Sequence, residues 1–464
     1  MSEPDVDLEF GYSLSFPLPF RVFTLTALGI LAWATNLHGL EYFGVDAVAA
    51  LDLRVGDYHS PSQRFWTDSP RKADVTALYR NIYRIFITYS VWCLVSWTMF
   101  RSLSQGNPAL IDIFGYIPAL FALVTVLILF LPFDVLFKPE RDKFIHAIRR
   151  CISPPPGAPV YFADVVFADV FTSFAKVLGD VFISLRMLLP GNSLLEPPHD
   201  HGWTRWIMPT IMSIPYLVRF RQCVIEWLSE DNTSRRPLAN AVKYATAFPV
   251  MYLSAAQRLV VSDLINEKGK QAADEAWHGE HPLFRLWLLF AALNSLYSFW
   301  WDVTNDWGLE MLKPGSKPSG RPLPPRRLVL PHLHSGTALL GSHHPVEEVE
   351  EHVAYPFGLR PTLLYPLPVY PLLVFLNLIL RLTWSIKLSS HLHSKSEGSI
   401  AIFLIEVAEI FRRWMWVFVR VEWEVIKKAR EARITGRNSF SDTDEPDFEM
   451  ITTPTMEHDS IIDP

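Results

Sequence analysis

Long apolar stretches alternate with polar segments along the chain, and this pattern predicts membrane-spanning helices. A helix needs about 20 mostly apolar residues to cross the hydrocarbon core of a bilayer. The clearest stretch is FGYIPALFALVTVLILFLPF at residues 114–133. Barrel strands would alternate over about ten residues, so uninterrupted stretches of this length favour helices. The candidate spans are residues 20–37, 84–100, 109–136, 161–189, 203–218, 238–256, 282–301, 365–386 and 400–418.

The pattern therefore predicts an all-α fold, a polytopic transmembrane helical bundle with about nine or ten spans. The tenth would lie within residues 40–53, where three acidic side chains weaken the case. The segment ahead of the first stretch is acidic (SEPDVDLE), unlike the positively charged start of a cleaved signal peptide. We interpret residues 20–37 as a retained span.

Loop charges predict the orientation of the bundle, because Lys and Arg concentrate in cytoplasmic loops. Basic residues are dense at 138–150, 219–236, 313–327 and 427–437, whereas residues 190–201 contain none. This alternation places the C-terminus in the cytosol. The predicted segments are a leader (1–19), N-terminal transmembrane helices (20–136), a transport domain (137–424) that includes an unstructured loop (312–362), and a disordered acidic tail (425–464).

Composition excludes several functional classes. Of all residues, 19% are charged and 50% are apolar. Soluble proteins carry roughly 25% charged residues, so this composition excludes a disordered acidic protein. The three cysteines lie far apart without a CxxC pair, which supports neither a disulfide framework nor a thiolate zinc site. A metal site at the histidines of residues 332–344 is an alternative that their irregular spacing disfavours. We expect no cofactor, and a net charge of -6 gives no reason to expect nucleic acid.

Several charged side chains fall inside the apolar stretches, where each costs about 2.5–3.5 kcal/mol on insertion scales. Snorkelling towards lipid headgroups is the alternative explanation, and it stays open for Lys176 and Asp180, which have no obvious partner. The snorkelling explanation is weaker for five cations that come from four different spans. Asp169 and Asp302 are available to neutralise some of these cations. The five cations are Arg219, Lys243, Arg381, Arg412 and Arg413.

The excess of positive charge indicates a site for an anion. An arginine guanidinium donates two parallel hydrogen bonds to an oxyanion, and lysine adds a point charge, so phosphate fits this set. Trp416 and Arg420 share the helix face of Arg412, and Glu409 precedes Arg413 by four residues and can hold it. A purely structural network of ion pairs is the alternative.

Two acidic residues also share a helical face, since Asp302 and Asp306 stand four residues apart. No catalytic motif such as a P-loop, GxSxG or HExxH occurs in the sequence. This absence of a motif disfavours an enzyme.

Short motifs in a fixed order resemble the EXS domain of phosphate exporters. This domain is shared by animal and plant phosphate exporters and by the yeast ER-retention-defective protein of the Golgi. The resemblance extends from about Pro132 to Glu424, and the combination of WDxxxDWG with FRRxxW is specific. The motifs are FADVVFAD (162–169), RFRQCVIEW (219–227), NAVKY (240–244), WDVTNDWGL (301–309), LRLTW (380–384) and FRRWMWVFVRVEWE (411–424).

The resemblance implies a phosphate-export pathway lined by the last six helices. Asn240, Asp306, Glu409 and Trp416 would support or gate this pathway. The aromatic side chain of Trp384 would shape a constriction. The residues that the resemblance assigns to phosphate are Asp169, Arg219, Lys243, Tyr244, Asp302, Arg381, Trp384, Arg412 and Arg413.

The N-terminus differs from that of the plasma-membrane exporters, which carry an SPX domain before the first span. Only about 19 residues precede the first stretch here. The chain therefore resembles the Golgi subgroup, which is thought to return phosphate from the lumen to the cytosol and to help retain glycosyltransferases. We expect a Golgi membrane location, with the ER or plasma membrane as alternatives.

The expected partners are inorganic phosphate, the lipid bilayer, glycosyltransferases or coat proteins, and a second copy in a homodimer. A sorting or retention factor without transport is the main rival function. It would bind glycosyltransferase tails or a coat component through residues 312–362 or the basic C-terminal segment. Transport of another anion, such as sulfate, is a third possibility.

Overall fold

The computed structural model shows a helical protein whose helices follow the predicted apolar stretches. It describes residues 10–51, 71–155, 157–189, 191–195, 202–230, 232–268, 282–312, 326–327, 359–360, 362–382 and 399–441. Among these residues, the strands are β1 (Arg326–Arg327) and β2 (Thr362–Leu363), which pair in parallel with Arg326 opposite Thr362.

The helices in chain order are α1 (Leu18–Tyr42), α2 (Ala47–Ala50), α3 (Arg71–Ser104), α4 (Pro108–Ile113), α5 (Tyr116–Phe130), α6 (Lys138–Ile152), α7 (Phe162–Ser173) and α8 (Ala175–Met187). They continue with a 3-10 turn (Gly202–Trp206), α9 (Ile207–Leu228), α10 (Arg236–Ala245), α11 (Ala247–Lys268), α12 (Pro282–Trp301), a π turn (Asp302–Asp306), α13 (Val369–Arg381) and α14 (Ser399–Ser441). The helical fold class predicted from the sequence is confirmed.

Three helical stretches of the described chain are long and apolar enough to cross a membrane. They are Leu18–Tyr42, Pro108–Phe130 and Pro282–Asp306, and α13 is a shorter apolar helix. On α5, Leu127 and Phe130 are more than half exposed, as expected of side chains that face lipid. The protein is therefore an all-α helical membrane protein, and its exact number of spans stays a prediction. Residues 40–51 contain only the end of α1 and the four-residue α2, so they hold no tenth span.

Two apolar clusters hold the helices together. In the first, Phe20 of α1 packs on Phe100 of α3, with ring centroids 5.2 Å apart, and α5 joins them through Phe121. In the second, Leu25 of α1 and Ile410 of α14 pack together with α8. The second cluster brings α8 and α14 side by side, and this pairing positions part of the site described below.

Three of the predicted apolar stretches are divided into two helices, namely 109–136, between α4 and α5, 161–189 and 238–256. The stretch 161–189 divides at Phe174 into α7 and α8. The stretch 238–256 divides at Thr246, because Pro249 lacks the N–H that would bond back one turn and its ring crowds that carbonyl. At the end of α12, the chain widens into the π turn, whose Asp302 carbonyl accepts from the Trp307 N–H at 2.9 Å. Such breaks at membrane depth are tolerated where they are buried in protein or line a cavity.

The chain divides into two units, Met1–Trp423 and Glu424–Pro464. The tail was expected to be disordered from residue 425, but helix α14 continues to Ser441. The reason lies in the sequence KKAREAR, since Lys, Ala, Arg and Glu are all good helix formers. Residues 442–464 and most of the predicted loop 312–362 lie outside the described residues.

Candidate functional site

The buried carboxylate of Asp169 on α7 neutralises the first of the predicted cations. Arg219 Nε donates to Asp169 Oδ1 at 3.0 Å, and the Tyr244 hydroxyl donates to the same oxygen at 2.5 Å. Arg219 Nε also lies 3.2 Å from the Tyr244 hydroxyl oxygen, and Arg219 Nη1 donates to Gln222 Oε1 at 2.5 Å. Helices α7, α9 and α10 therefore meet at the Asp169–Arg219 ion pair, to which the Tyr244 hydroxyl adds a hydrogen bond.

Asp302, which is fully buried at the start of the π turn, joins three more cations. Lys243 Nζ lies 3.1 Å from Asp302 Oδ1, and Arg381 Nη2 lies 2.6 Å from Asp302 Oδ2. Arg412 Nη1 approaches the same oxygen at 3.6 Å. The π turn also brings Asp306 Oδ2 within 3.1 Å of Lys243 Nζ. Asp302 and Asp306 thus share a lysine from α10, and Asp302 links it to α13 and α14.

Glu409 pairs with Arg412, and this corrects the expectation that it holds Arg413. Arg412 Nε donates to Glu409 Oε2 at 2.8 Å, and Arg412 Nη2 donates to Oε1 at 2.5 Å. Arg412 therefore donates two hydrogen bonds to the Glu409 carboxylate, which lies three residues earlier on the same helix. The Ser173 hydroxyl donates to Glu409 Oε1 at 2.7 Å and fixes the carboxylate in this orientation.

Arg413 is held by hydroxyl groups instead of a carboxylate. Its Nε donates to Ser173 Oγ at 2.9 Å and its Nη2 donates to Thr172 Oγ1 at 3.0 Å. Within the described chain, Nη1 is buried without a hydrogen-bond partner, although Arg413 is only 5% exposed. The guanidinium lies 4.6 Å from the ring centroid of Trp416, whose Nε1 is also buried and unpartnered. Both buried donors therefore lack an acceptor within the described residues.

The balance of charge in the contact network favours an anion. Four of the five predicted cations contact carboxylates, and four carboxylates among the described residues take part. Each of these four cations is within 4.0 Å of a carboxylate, so the uncompensated charge is that of Arg413. A buried cation needs a counter-ion or an aqueous cavity to offset its desolvation. The four carboxylates are Asp169, Asp302, Asp306 and Glu409.

The structure brings together most, but not all, of the residues selected from the sequence. Trp384 lies outside the described residues. Asn240 on α10 forms none of the site's hydrogen bonds, and its Oδ1 is buried and unpartnered in the described chain. The Arg420 guanidinium lies over the ring of Phe162, at 4.6 Å from the centroid. The residues that meet in the network are Asp169, Arg219, Lys243, Tyr244, Asp302, Asp306, Arg381, Glu409, Arg412, Arg413 and Trp416.

Sequence reasoning missed the neutral polar residues that connect the ion pairs. Asn377 Nδ2 lies 3.4 Å from Asp302 Oδ2, while its Oδ1 accepts from Arg412 Nη1 at 3.4 Å. Ser173 bridges Glu409 and Arg413. A signal was present in the sequence, because Asn377 precedes Arg381 by four residues inside an apolar run.

No group of three or more His, Cys, Asp or Glu side chains suited to a metal ion occurs in the part of the chain that the structure describes. The histidines of residues 332–344 lie outside it. The network described above is held by direct contacts between cations, carboxylates and neutral polar groups.

Comparisons with known proteins show relatives over most of the chain. The chain is 26% identical over 433 residues to Protein ERD1 homolog 1 of Schizosaccharomyces pombe, which covers 92% of this chain and 95% of that protein. It is 25% identical over 428 residues to Protein ERD1 of Kluyveromyces lactis, covering 88% and 94% of the two chains. It is also 25% identical over 360 residues to Solute carrier family 53 member 1 of Cricetulus griseus, covering 74% of this chain and 43% of that protein.

The relatives include a solute carrier, which points to a transporter-type membrane protein. The profile of the EXS family matches residues 16–426, a longer segment than the 137–424 expected for the transport domain. The match confirms the resemblance inferred from the short motifs. The chain belongs to the EXS family.

Proposed function

We propose that this chain is a transmembrane transporter of inorganic phosphate and that the cationic network is its pathway. The observation that carries the proposal is the buried Arg413 guanidinium, which has no carboxylate partner within the described chain and one free donor. Phosphate has tetrahedral, negatively charged oxygens that accept the paired hydrogen bonds of a guanidinium. Trp416 Nε1, beside Arg413, offers a second free donor of the kind an anion requires.

The paired cations would attract phosphate without trapping it. Lys243, Arg381 and Arg412 each contact a carboxylate, so their combined field is reduced but not abolished. Conduction needs a site strong enough for entry and weak enough for exit. In this account Asp169 and Asp302 limit the affinity for phosphate, and Glu409 holds Arg412 while the site is empty. The predicted constriction at Trp384 remains part of the proposal.

The cellular role that we propose is the return of phosphate from the Golgi lumen to the cytosol, with support for glycosyltransferase retention. Similarity over most of the chain to Protein ERD1 and to Protein ERD1 homolog 1 supports this grouping. The C-terminus is proposed to face the cytosol, on the strength of the basic loops alone. Since no catalytic motif occurs in the sequence, we propose a transporter and not an enzyme.

A retention factor without transport is the second candidate. The same similarity to the ERD1 proteins favours it, because that similarity extends over 92% of the chain for the first relative. Its binding surface would be residues 312–362 or the basic C-terminal segment, which would contact glycosyltransferase tails or coat proteins. Deleting residues 313–358 separates the two roles. Loss of enzyme retention with intact phosphate flux would assign retention to the loop and transport to the bundle.

The test of transport is flux of labelled phosphate from liposomes that contain the purified chain. The double variant Arg412→Ala with Arg413→Ala should lose flux at least tenfold, since it removes both guanidinium groups of α14 from the site. Arg149→Ala is the matched control, because Arg149 is an exposed arginine on α6. Wild-type liposomes that release phosphate no faster than protein-free liposomes would overturn the proposal. Competition by sulfate against phosphate would reveal a different anion preference.

A further inference from the structure

A second buried ionic cluster lies between α8 and α14, outside the network around Arg413. Lys176 had no evident partner in the sequence, but its Nζ contacts Asp180 and lies 3.6 Å from Glu406 Oε1. Asp180 is 2% exposed and Glu406 is 6% exposed. The two acids come from different helices and converge on one ammonium group. Snorkelling towards headgroups, which the sequence left open for Lys176 and Asp180, therefore does not account for the contacts of these two residues.

The cluster holds more negative charge than Lys176 alone can balance. Glu406 Oε1 is buried and has no hydrogen-bond partner within the described chain. The carboxyl groups of Asp180 and Glu406 also interact with each other. Two ionised carboxylates in one poorly hydrated site repel each other, so a pair of this kind is a candidate for binding a proton.

Other polar and charged groups lie near the two acids. From the N-terminal segment, the Tyr12 hydroxyl interacts with Glu406, and the Arg21 guanidinium stacks 4.6 Å from the Tyr12 ring. Arg21 Nε donates to the Phe16 carbonyl at 2.9 Å. On α14, Glu409 pairs with Arg412, and from α1 Val22 and Leu25 pack in the apolar cluster that joins α8 and α14. Lys176 is therefore the cation that contacts both acids.

We propose that Asp180 and Glu406 form a proton-binding site whose occupancy controls the phosphate affinity of the neighbouring arginine site. A proton fits this pair better than a metal cation. Metal cations such as Ca²⁺ take six or more oxygen ligands, and Lys176 already occupies the cationic position between the acids. The Lys176 side chain, 32% exposed, connects the pair to the outside of the protein.

The proton site adjoins the arginine site along α14 and across the break at Phe174 between α7 and α8. Ser173 contacts Glu409 and Arg413, and Lys176 follows it by three residues. On α14, Glu406 precedes Glu409 by three residues. Three residues correspond to about 4.5 Å of rise along a helix, so the two sites lie on successive turns. Binding a proton removes one negative charge near Arg412 and Arg413, which strengthens their attraction for phosphate.

The proton site can be tested without any phosphate, which separates it from the proposed transport function on which its role rests. Infrared difference spectra between acidic and alkaline pH are recorded on the full chain in phosphate-free lipid nanodiscs. We expect the C=O stretch of a protonated carboxylic acid in the wild type. It should be lost in both Glu406→Gln and Asp180→Asn and retained in Glu230→Gln, which alters an exposed carboxylate. A wild-type spectrum without a titrating carboxylic acid overturns the proposal, as does a band that persists in both site variants.

Phosphate flux then tests the control of affinity. With equal pH on both sides of the liposome, the KM of the wild type should fall by about threefold from alkaline to acidic pH, as expected for one screened charge a helical turn away. Glu406→Gln should show the low KM at both pH values, and Glu230→Gln should follow the wild type. A Glu406→Gln profile identical to that of the wild type overturns the control of affinity. Absence of flux in all three proteins would defeat the proposed transport function, while the infrared result would still decide the proton site.

Discussion

Asp302 is the carboxylate whose removal tests most clearly how the cationic network is held together. Asp302→Asn preserves the shape of the side chain and removes its charge. After this change Lys243 keeps Asp306, and Arg412 keeps Glu409. Arg381 loses the carboxylate that lies 2.6 Å from its Nη2, the one acid that it contacts in the described chain. The variant therefore leaves a second guanidinium, that of the mostly buried Arg381, without a carboxylate.

The magnitude follows from the cost of breaking a buried ion pair. Removing one partner of such a pair costs about 3–5 kcal/mol, because the other charge remains buried and unpaired. Two of the three cations around Asp302 keep a carboxylate, and the Arg381 side chain is 13% exposed, so the lower end of the range applies. We expect Asp302→Asn to lower the free energy of unfolding by about 3 kcal/mol.

Unfolding in mixed micelles, followed by tryptophan fluorescence, measures this effect. A double-mutant cycle with Arg381→Met isolates the ion pair, since the double variant removes both charges. We expect the double variant to be more stable than Asp302→Asn alone, with a coupling energy of up to about 3 kcal/mol. An Asp302→Asn protein as stable as the wild type would show that the Asp302–Arg381 ion pair does not stabilise the fold. A double variant whose loss of stability equals the sum of the two single losses would show the same.

Three further variants probe other contacts of the network, each by the same unfolding assay. Tyr244→Phe removes the hydroxyl that donates to Asp169 and should lower the free energy of unfolding by about 1.5–3 kcal/mol. An unchanged stability would contradict a contribution from that hydrogen bond. Ser173→Ala removes the bridge between Glu409 and Arg413 and should cost about 1–3 kcal/mol. Ser102→Ala, at an exposed serine of α3, should cost nothing. At Gly308, φ is positive and a Cβ would lie 2.5 Å from the Trp423 ring. Gly308→Ala should therefore cost more than about 1 kcal/mol, and a neutral result would contradict that strain.

The sequence predicted the helical class and the main charged groups for one physical reason. A charge inside an apolar stretch is costly, so each such residue marks a partner or a ligand. Arg219, Lys243, Asp302 and Arg412 were selected on that ground, and the structure places them in one network. The resemblance to the EXS domain pointed to the same residues through their motifs. The family match confirms the resemblance, and the roles of these residues stay a prediction.

The pairing of these charges could not be predicted from helical spacing. Spacing identifies neighbours on one helix, and for Glu409 it indicated Arg413, four residues on, whereas the structure pairs Glu409 with Arg412, three residues on. The choice was decided by Ser173, which comes from another helix and turns the carboxylate towards Arg412. Likewise, Lys176 meets Glu406 only because α8 packs against α14. Contacts between helices depend on the breaks at Phe174 and Thr246, which a hydropathy pattern does not show.

In the proposed transport function, Arg413 binds phosphate during passage through the Nη1 that has no partner within the described chain. One flux measurement tests this role directly. Efflux of labelled phosphate is compared among liposomes that contain the wild type, Arg413→Gln, Arg149→Ala or no protein. We predict release from the wild type and from Arg149→Ala, and at least about a tenfold lower rate from Arg413→Gln, equivalent to losing about 1.4 kcal/mol or more of interaction. Equal rates from the wild type and Arg413→Gln would contradict the claim.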